Sequence, residues 1–309
     1  MRVICAVALA TCLACLALGQ TASQAEPVKG KVRAFVSILP QAYFVEEVGG
    51  GLVQVDVLVG PGQSPHTFEP TPKQMAKLTE AQIYFRIGLP FEDQLVKKIE
   101  ATNKELKIIN TIKGIKHGER DEQKERHPTL ESPRAGEPEE HRHHEGEEDP
   151  HVWLSPRLAK VIAANICDGL KALDPAHAGE YEKNLRAVHA RLDDLDARLA
   201  RALAPLKGEE FMVFHPAFGH FGKAYGLKQV AVEFEGKEPS ARQLAQLIDW
   251  AKKREVKVVF VQPQFSAKSA QAVARAIGGA VIPMDPLAKN YIKNLTDMAN
   301  KVTSALGGQ

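Results

Sequence analysis

The sequence predicts an α/β protein of two lobes with parallel sheets, joined by one long rigid α-helix, with a metal site in the cleft between the lobes. Three observations carry this expectation. Short apolar runs alternate with segments of helical spacing over residues 32–112, and the same alternation restarts after residue 205. Between the two series lies one unbroken amphipathic stretch, residues 174–206. Histidines and a carboxylate sit in the loops beside the runs of both halves. A chain of 309 residues is long enough for two cores.

The first 25 residues, "MRVICAVALATCLACLALGQTASQA", hold one Arg, an apolar stretch from Val3 to Leu18, and small residues ending Ser23-Gln24-Ala25. This reads as a secretory signal cleaved after Ala25, which implies a periplasmic protein. The apolar run is short for a spanning helix. Lipid attachment at Cys12 or Cys15 is the alternative, but both lie inside the apolar run rather than at its end. Three of the four cysteines leave with the signal, so Cys167 has no partner for a disulfide and there is no thiolate cluster for a metal. A net charge of +2 gives no nucleic-acid signature.

The first lobe is expected over residues 26–172. "VRAFVSI", "VQVDVLVG", "IYFRIG" and "LKIINTI" read as strands. "QAYFVEEVGG" and "FEDQLVKKIEATNK" have helical spacing between them. Near the end of this lobe the segment from His117 to Pro150 contains 12 acids, five bases and five histidines, with Leu130 its only large aliphatic. It cannot bury enough apolar surface to order itself, so 117–148 is expected to be a disordered loop. It reads either as a solvated acidic spacer or as a metal-collecting tract. The cluster of His141, His143 and His144 favours the second, making these auxiliary metal candidates.

Residues 173–205 form the expected connector. Asp174 stands where a cap would, with Pro175 at the first helical position. Tyr181, Leu185, Val188, Leu192, Leu195, Leu199 and Leu203 recur every three or four residues as one apolar stripe. The second lobe, 206–309, repeats the strand pattern in "EFMVFH", "QVAVEF", "VKVVFVQPQ" and "AVIPMD", with "SARQLAQLIDWAKKRE" and "SAQAVARAIG" as helices.

Four residues then stand out as metal ligands. His66 follows the second strand, His151 follows the acidic tract, and His215 and Asp285 end strands of the second half. In open α/β sheets ligands bind beyond the carboxyl ends of the strands, so facing lobes would bring these four together. Three imidazoles and one carboxylate suit zinc. Each residue also has a plainer reading: His66 and His151 as loop histidines, His215 as a core histidine, Asp285 as a helix cap before "PLAKNYIKNL". His177 and His189 lie off the apolar stripe, and His220 reads as packed or exposed. No HExxH pattern marks a hydrolase and no GxxxxGK[ST] motif marks an ATPase.

"SPHTFEPTPKQM", "DPHVWLSP", "FHPAFGHFGKAYGL", "EGKEPSARQL" and "MDPLAKNYIKNL", in this order, resemble the cluster A-I metal-binding proteins of ABC transporters, in their zinc-uptake branch. The likeness covers nearly the whole mature chain, including the histidine- and acid-rich insertion. It implies two α/β lobes on one long helix, and an extracytoplasmic, monomeric, non-enzymatic carrier. Such a carrier would capture Zn2+ and deliver it to a membrane permease with a separate ATPase. The resemblance maps the ligands onto His66, His151, His215 and Asp285. Manganese-binding relatives usually carry Glu at the third position, so His215 favours Zn2+ over Mn2+. Some zinc members place an acid before the first ligand, where this chain has Pro65, and some carry a disulfide in the second lobe, which Cys167 alone forbids. Water therefore competes with Asp285 for the fourth position. A secreted zinc hydrolase is the rival class, with Glu69 the nearest candidate base. Neutral imidazole ligands predict that zinc affinity falls below about pH 6.

Overall fold

The computed structural model describes residues 30–115, 149–233 and 239–307. The expected signal, 1–25, and the tract 117–148 with His141, His143 and His144 lie outside the described residues. Among the described residues, no helix is long and apolar enough to cross a membrane.

The first half alternates strand and helix as its apolar runs suggest: β1 Val32–Ile38, α1 Leu39–Gly49, β2 Val53–Val59, α2 Pro72–Thr79, β3 Ile83–Arg86, α3 Pro90–Thr102 and β4 Lys107–Asn110. The four strands form one parallel sheet in the order β2-β1-β3-β4. Central strand β1 is buried along nearly its whole length, as expected of a parallel strand covered by helices on both faces. Helix α2 was not legible in the hydrophobic pattern, because Leu78 is its one buried side chain. Its signal is chemical instead. Thr71 and Gln74 form a capping box, with the Gln74 amide N–H donating to Thr71 Oγ1 (3.3 Å) and the Thr71 N–H donating to Gln74 Oε1 (3.0 Å).

After α4, Pro156–Leu173, the chain enters α5, Ala178–Leu203, a helix of 26 residues and about 39 Å. A 3₁₀ turn at Pro175–His177 precedes it. Asp174 does not cap the backbone here. Its Oδ2 instead accepts from Tyr181 Oη (2.8 Å) and lies 2.7 Å from His177 Nδ1. The predicted stripe is buried at every position except Leu185, which is half-buried. α5 does not stand free between the lobes, because it packs along α4, α1 and the C-terminal helix α9, Tyr291–Leu306.

The second half runs β5 Glu210–Val213, α6 Gly219–Tyr225, β6 Lys228–Ala231, α7 Ala241–Lys253, β7 Val258–Val261, α8 Lys268–Ala276 and β8 Ala280–Pro283. Its parallel sheet has the matching order β6-β5-β7-β8. Alternation along β5 sends successive side chains to opposite faces. Phe211 and Val213 join a core cluster shared with the first half, while Met212 and Phe214 pack with Leu247, Val259 and Val273 in a cluster of the second half's own. The two halves are thus α/β lobes connected through a long helix and a continuous apolar core.

Aromatic contacts close that shared core. Tyr291 of α9 stacks on Tyr43 of α1 at 5.9 Å and tilts against Phe44 at 4.8 Å. Its hydroxyl donates to the carbonyl of Trp153 at 2.7 Å.

Candidate metal centre

His66 lies on the loop between β2 and α2. Gln63 Oε1 accepts from the Gly60 N–H at 2.8 Å at the start of this loop, and Gln74 Nε2 donates to the Leu58 carbonyl at 2.7 Å at its end. Phe68, two residues beyond the histidine, is buried edge-on against Phe91 of α3, with ring centroids 5.0 Å apart. The loop is therefore anchored on both sides, and His66, exposed as a residue, turns its ring towards His215 (4.7 Å) and His151 (5.9 Å).

His151 begins a 3₁₀ turn whose residues Val152, Trp153 and Leu154 are fully buried. That burial leaves the histidine side chain little choice of direction, and it is only 5% exposed. Asp149 Oδ1 accepts from the His151 backbone N–H at 3.0 Å and lies 2.7 Å from His151 Nδ1. Burial alone would raise the Asp149 carboxyl, but the hydrogen bond and charge of His151, with the charge of His220, together hold it below the usual carboxylate range.

His215 follows central strand β5 by two residues and is 7% exposed. Its backbone is gripped by Gln262, whose Oε1 accepts from His215 N–H (3.1 Å) and whose Nε2 donates to the His215 carbonyl (2.6 Å). The ring stacks on Phe265 at 4.7 Å and 22°. Nδ1 lies 2.5 Å from Glu233 Oε2, whereas Nε2 is buried without a hydrogen-bond partner. A buried, unpaired imidazole nitrogen is costly unless something takes it.

One ligand atom from each of His66, His151 and His215 lies within 4.8 Å of the other two. A common centre then exists at most about 2.8 Å from each atom, against a Zn–N bond of about 2.0–2.1 Å. The two lobes thus bring three imidazoles together across the cleft, and a contraction of less than about 1 Å would close them on one ion. Desolvation, followed by the neighbouring His215 and His151, pushes the His66 imidazole down to about 4, with Asp149 opposing. A neutral nitrogen is the form in which an imidazole binds metal.

Asp285 stands outside this group of three. Its Oδ1 accepts from Gln264 Nε2 (2.7 Å) and from the Leu287 N–H (2.9 Å). It does not cap α9, where Asn290 accepts from the Lys293 N–H at 3.3 Å. His177 bonds Asp174, His189 Nε2 donates to the Lys160 carbonyl at 3.1 Å, and His220 Nε2 donates to the Asp149 carbonyl at 3.0 Å. Sequence reasoning did not single out Asp149, Glu233, Gln262 or Phe265. Asp149 alone had a local signal, two residues before His151 in "DPHVWLSP".

Three kinds of comparison with known proteins bear on this centre. The family described as zinc-uptake complex component A, periplasmic, matches residues 35–305. The chain is 31% identical over 273 residues to the zinc-binding lipoprotein AdcA of Streptococcus pneumoniae, a match covering 86% of this chain and 52% of that protein. It therefore spans about half the length of that relative. It is also 32% identical over 266 residues to the high-affinity zinc uptake system protein ZnuA of Bacillus subtilis, covering 84% of this chain and 79% of the relative. Among solved structures, a crystal structure of ZnuA is 41% identical with a TM-score of 0.79, over 89% of this chain and 99% of the other. A zinc-bound ZnuA lacking its residues 138–173 is likewise 41% identical, with a TM-score of 0.77, over 89% of this chain and 98% of the other.

Proposed function

The chain belongs to the family of periplasmic zinc-uptake complex A components, and from that premise we propose that it captures Zn2+ outside the cytoplasm for import. It hands the ion to an ABC-transporter permease driven by a separate ATPase. In this reading an N-terminal signal, 1–25, exports a chain whose lobes span 26–172 and 206–309, with 173–205 connecting them.

His66, His151 and His215 are the proposed ligands, each through an imidazole nitrogen. The observation that carries the proposal is the buried, unpaired Nε2 of His215 in a group of three histidines drawn from both lobes. Asp285 is the proposed fourth ligand, with water the competitor for its place. A carboxylate already committed to Gln264 and Leu287 through Oδ1 must bind through its other oxygen. His141, His143 and His144 are proposed as auxiliary collectors that raise the local supply of zinc.

The donor set argues for transport rather than hydrolysis. With Asp285 as the fourth ligand, no open metal position is left on which to activate water. It also argues for zinc over manganese, since imidazoles suit the softer ion and carboxylates the harder one. Zinc titrations of His66→Ala, His151→Ala, His215→Ala and Asp285→Asn against a chromophoric chelator test the assignment. Each histidine variant is expected to lose more than the roughly 10–100-fold associated with an outer-shell partner. Full affinity in any histidine variant would remove that residue from the site. Full affinity in Asp285→Asn would show that the site does not need the charge of this carboxylate.

A further inference from the structure

Two of the three histidines share a feature that the third lacks. His151 Nδ1 lies 2.7 Å from Asp149 Oδ1, and His215 Nδ1 lies 2.5 Å from Glu233 Oε2. Among the described residues, neither ring nitrogen of His66 has a hydrogen-bond partner, and only its backbone N–H is engaged, by Ser64 Oγ at 3.3 Å. We propose that Asp149 and Glu233 are positioning residues that fix His151 and His215 as Nδ1–H tautomers, so that each presents Nε2 to the metal and only His66 adapts on binding. The inference rests on the zinc reading above and deepens it.

The chemistry for His215 is one-sided. A carboxylate oxygen can only accept, so the nitrogen facing Glu233 must carry the proton. The opposite tautomer would set a nitrogen lone pair against the carboxylate and leave an N–H at the buried Nε2 with nothing to receive it. Glu233 is itself 5% exposed, so water does not readily substitute for it. Phe265 stacked on the ring and Gln262 on the backbone leave His215 no compensating rotation.

For His151 the arrangement reaches between lobes. Asp149 Oδ1 takes both the backbone N–H and Nδ1 of His151, while the Asp149 carbonyl accepts from His220 Nε2 on α6 of the second lobe. Its other oxygen lies where a Cβ on Gly219 would come within 2.5 Å. The absence of a side chain at Gly219 is what lets Asp149 come so close to α6. A first-lobe ligand is thereby oriented by a carboxylate seated on the second lobe. His220, which the sequence reads as packed or exposed, serves this seat.

The test begins with 15N NMR of the metal-free wild-type protein, in which the imidazole shifts report the tautomer of each ring. His151 and His215 are expected as Nδ1–H and non-protonated at Nε2, and His66 as a mixture. Glu233→Ala is expected to give His215 a mixed tautomer population and to weaken zinc binding by roughly 10–100-fold, with Glu233→Gln recovering part of the loss. Gly219→Ala should displace Asp149 and weaken zinc binding with both carboxylates still present, while the His215 tautomer stays as in the wild type. Nε2–H tautomers at His151 and His215 in the wild type would overturn the proposal, as would unchanged tautomer and affinity in Glu233→Ala. The metal-free spectra stand apart from the zinc reading. A wild type with the expected tautomers but no tight zinc would sink that reading, whereas tight zinc with the wrong tautomers would sink only this inference.

Discussion

The Trp153 indole N–H donates to the Pro286 carbonyl at 2.8 Å, and so ties the segment carrying His151 to the one carrying Asp285. Both partners are buried, and 133 residues separate them in sequence. The same tryptophan gives its carbonyl to Tyr291 Oη. One side chain and one backbone oxygen therefore hold the cleft walls at a fixed spacing. Trp153→Phe keeps most of the volume but leaves the Pro286 carbonyl without its donor. Urea unfolding of the metal-free protein should show a loss of about 1–3 kcal/mol. An unchanged midpoint would mean that this bond does not hold the walls together.

The long helix makes a second prediction. Leu195 on α5 is fully buried in the core cluster that includes both lobes. Leu195→Ala should cost about 2–5 kcal/mol, as expected for a leucine truncated in a packed core. Thermal unfolding followed by circular dichroism checks this. A loss below about 1 kcal/mol would indicate a connector that carries little of the stability.

Because α5 packs against α4, α1 and α9, large lobe rotation would have to break a shared core. Solution scattering of metal-free and zinc-loaded protein should therefore give the same overall dimensions. A marked compaction on loading would contradict this and place the motion in the lobes rather than at the His66 loop.

Proton competition at the site follows from His66. Its folded value of about 4 lies below the ordinary histidine value of 6.5. Between these two values the unfolded chain holds more protons than the folded one, so this group's contribution makes stability fall as pH drops from about 6.5 towards 4. The folded, metal-free ring stays mostly neutral until the pH approaches 4, and remains ready to bind zinc over most of this window. This moves the His66 share of the proton competition down from the pH of about 6 that an unperturbed histidine suggests. NMR titration of the metal-free protein should place the His66 midpoint near 4. A midpoint near 6.5 would show a solvated ring that does not face its two neighbours.

The fold was legible wherever burial set the pattern. β1 and β5 announce themselves as short continuous apolar runs, because both of their faces are covered, and the α5 stripe does so because one residue in three or four must face a core. α2 escaped because a helix with one buried residue has almost no hydrophobic pattern, although its Thr71-Gln74 capping box was in plain view. The three histidines were legible as strand-end and loop residues. What supports them was not. Glu233 lies 18 residues from His215 and Gln262 lies 47 residues away, so their contacts exist only once β5 is flanked by β6 and β7. Asp285 marks the limit of spacing arguments, because its strand-end position is as expected while its Oδ1 is turned to Gln264 and Leu287.

The most direct measurement is a competition titration of the demetallated chain 26–309 with zinc and manganese, repeated with residues 117–148 deleted. One tight zinc equivalent should survive the deletion, with manganese bound far more weakly. That result would leave the three histidines between the lobes as the primary site and the tract as auxiliary. Tight binding that vanished with the tract, or a preference for manganese, would contradict a zinc carrier built on His66, His151 and His215.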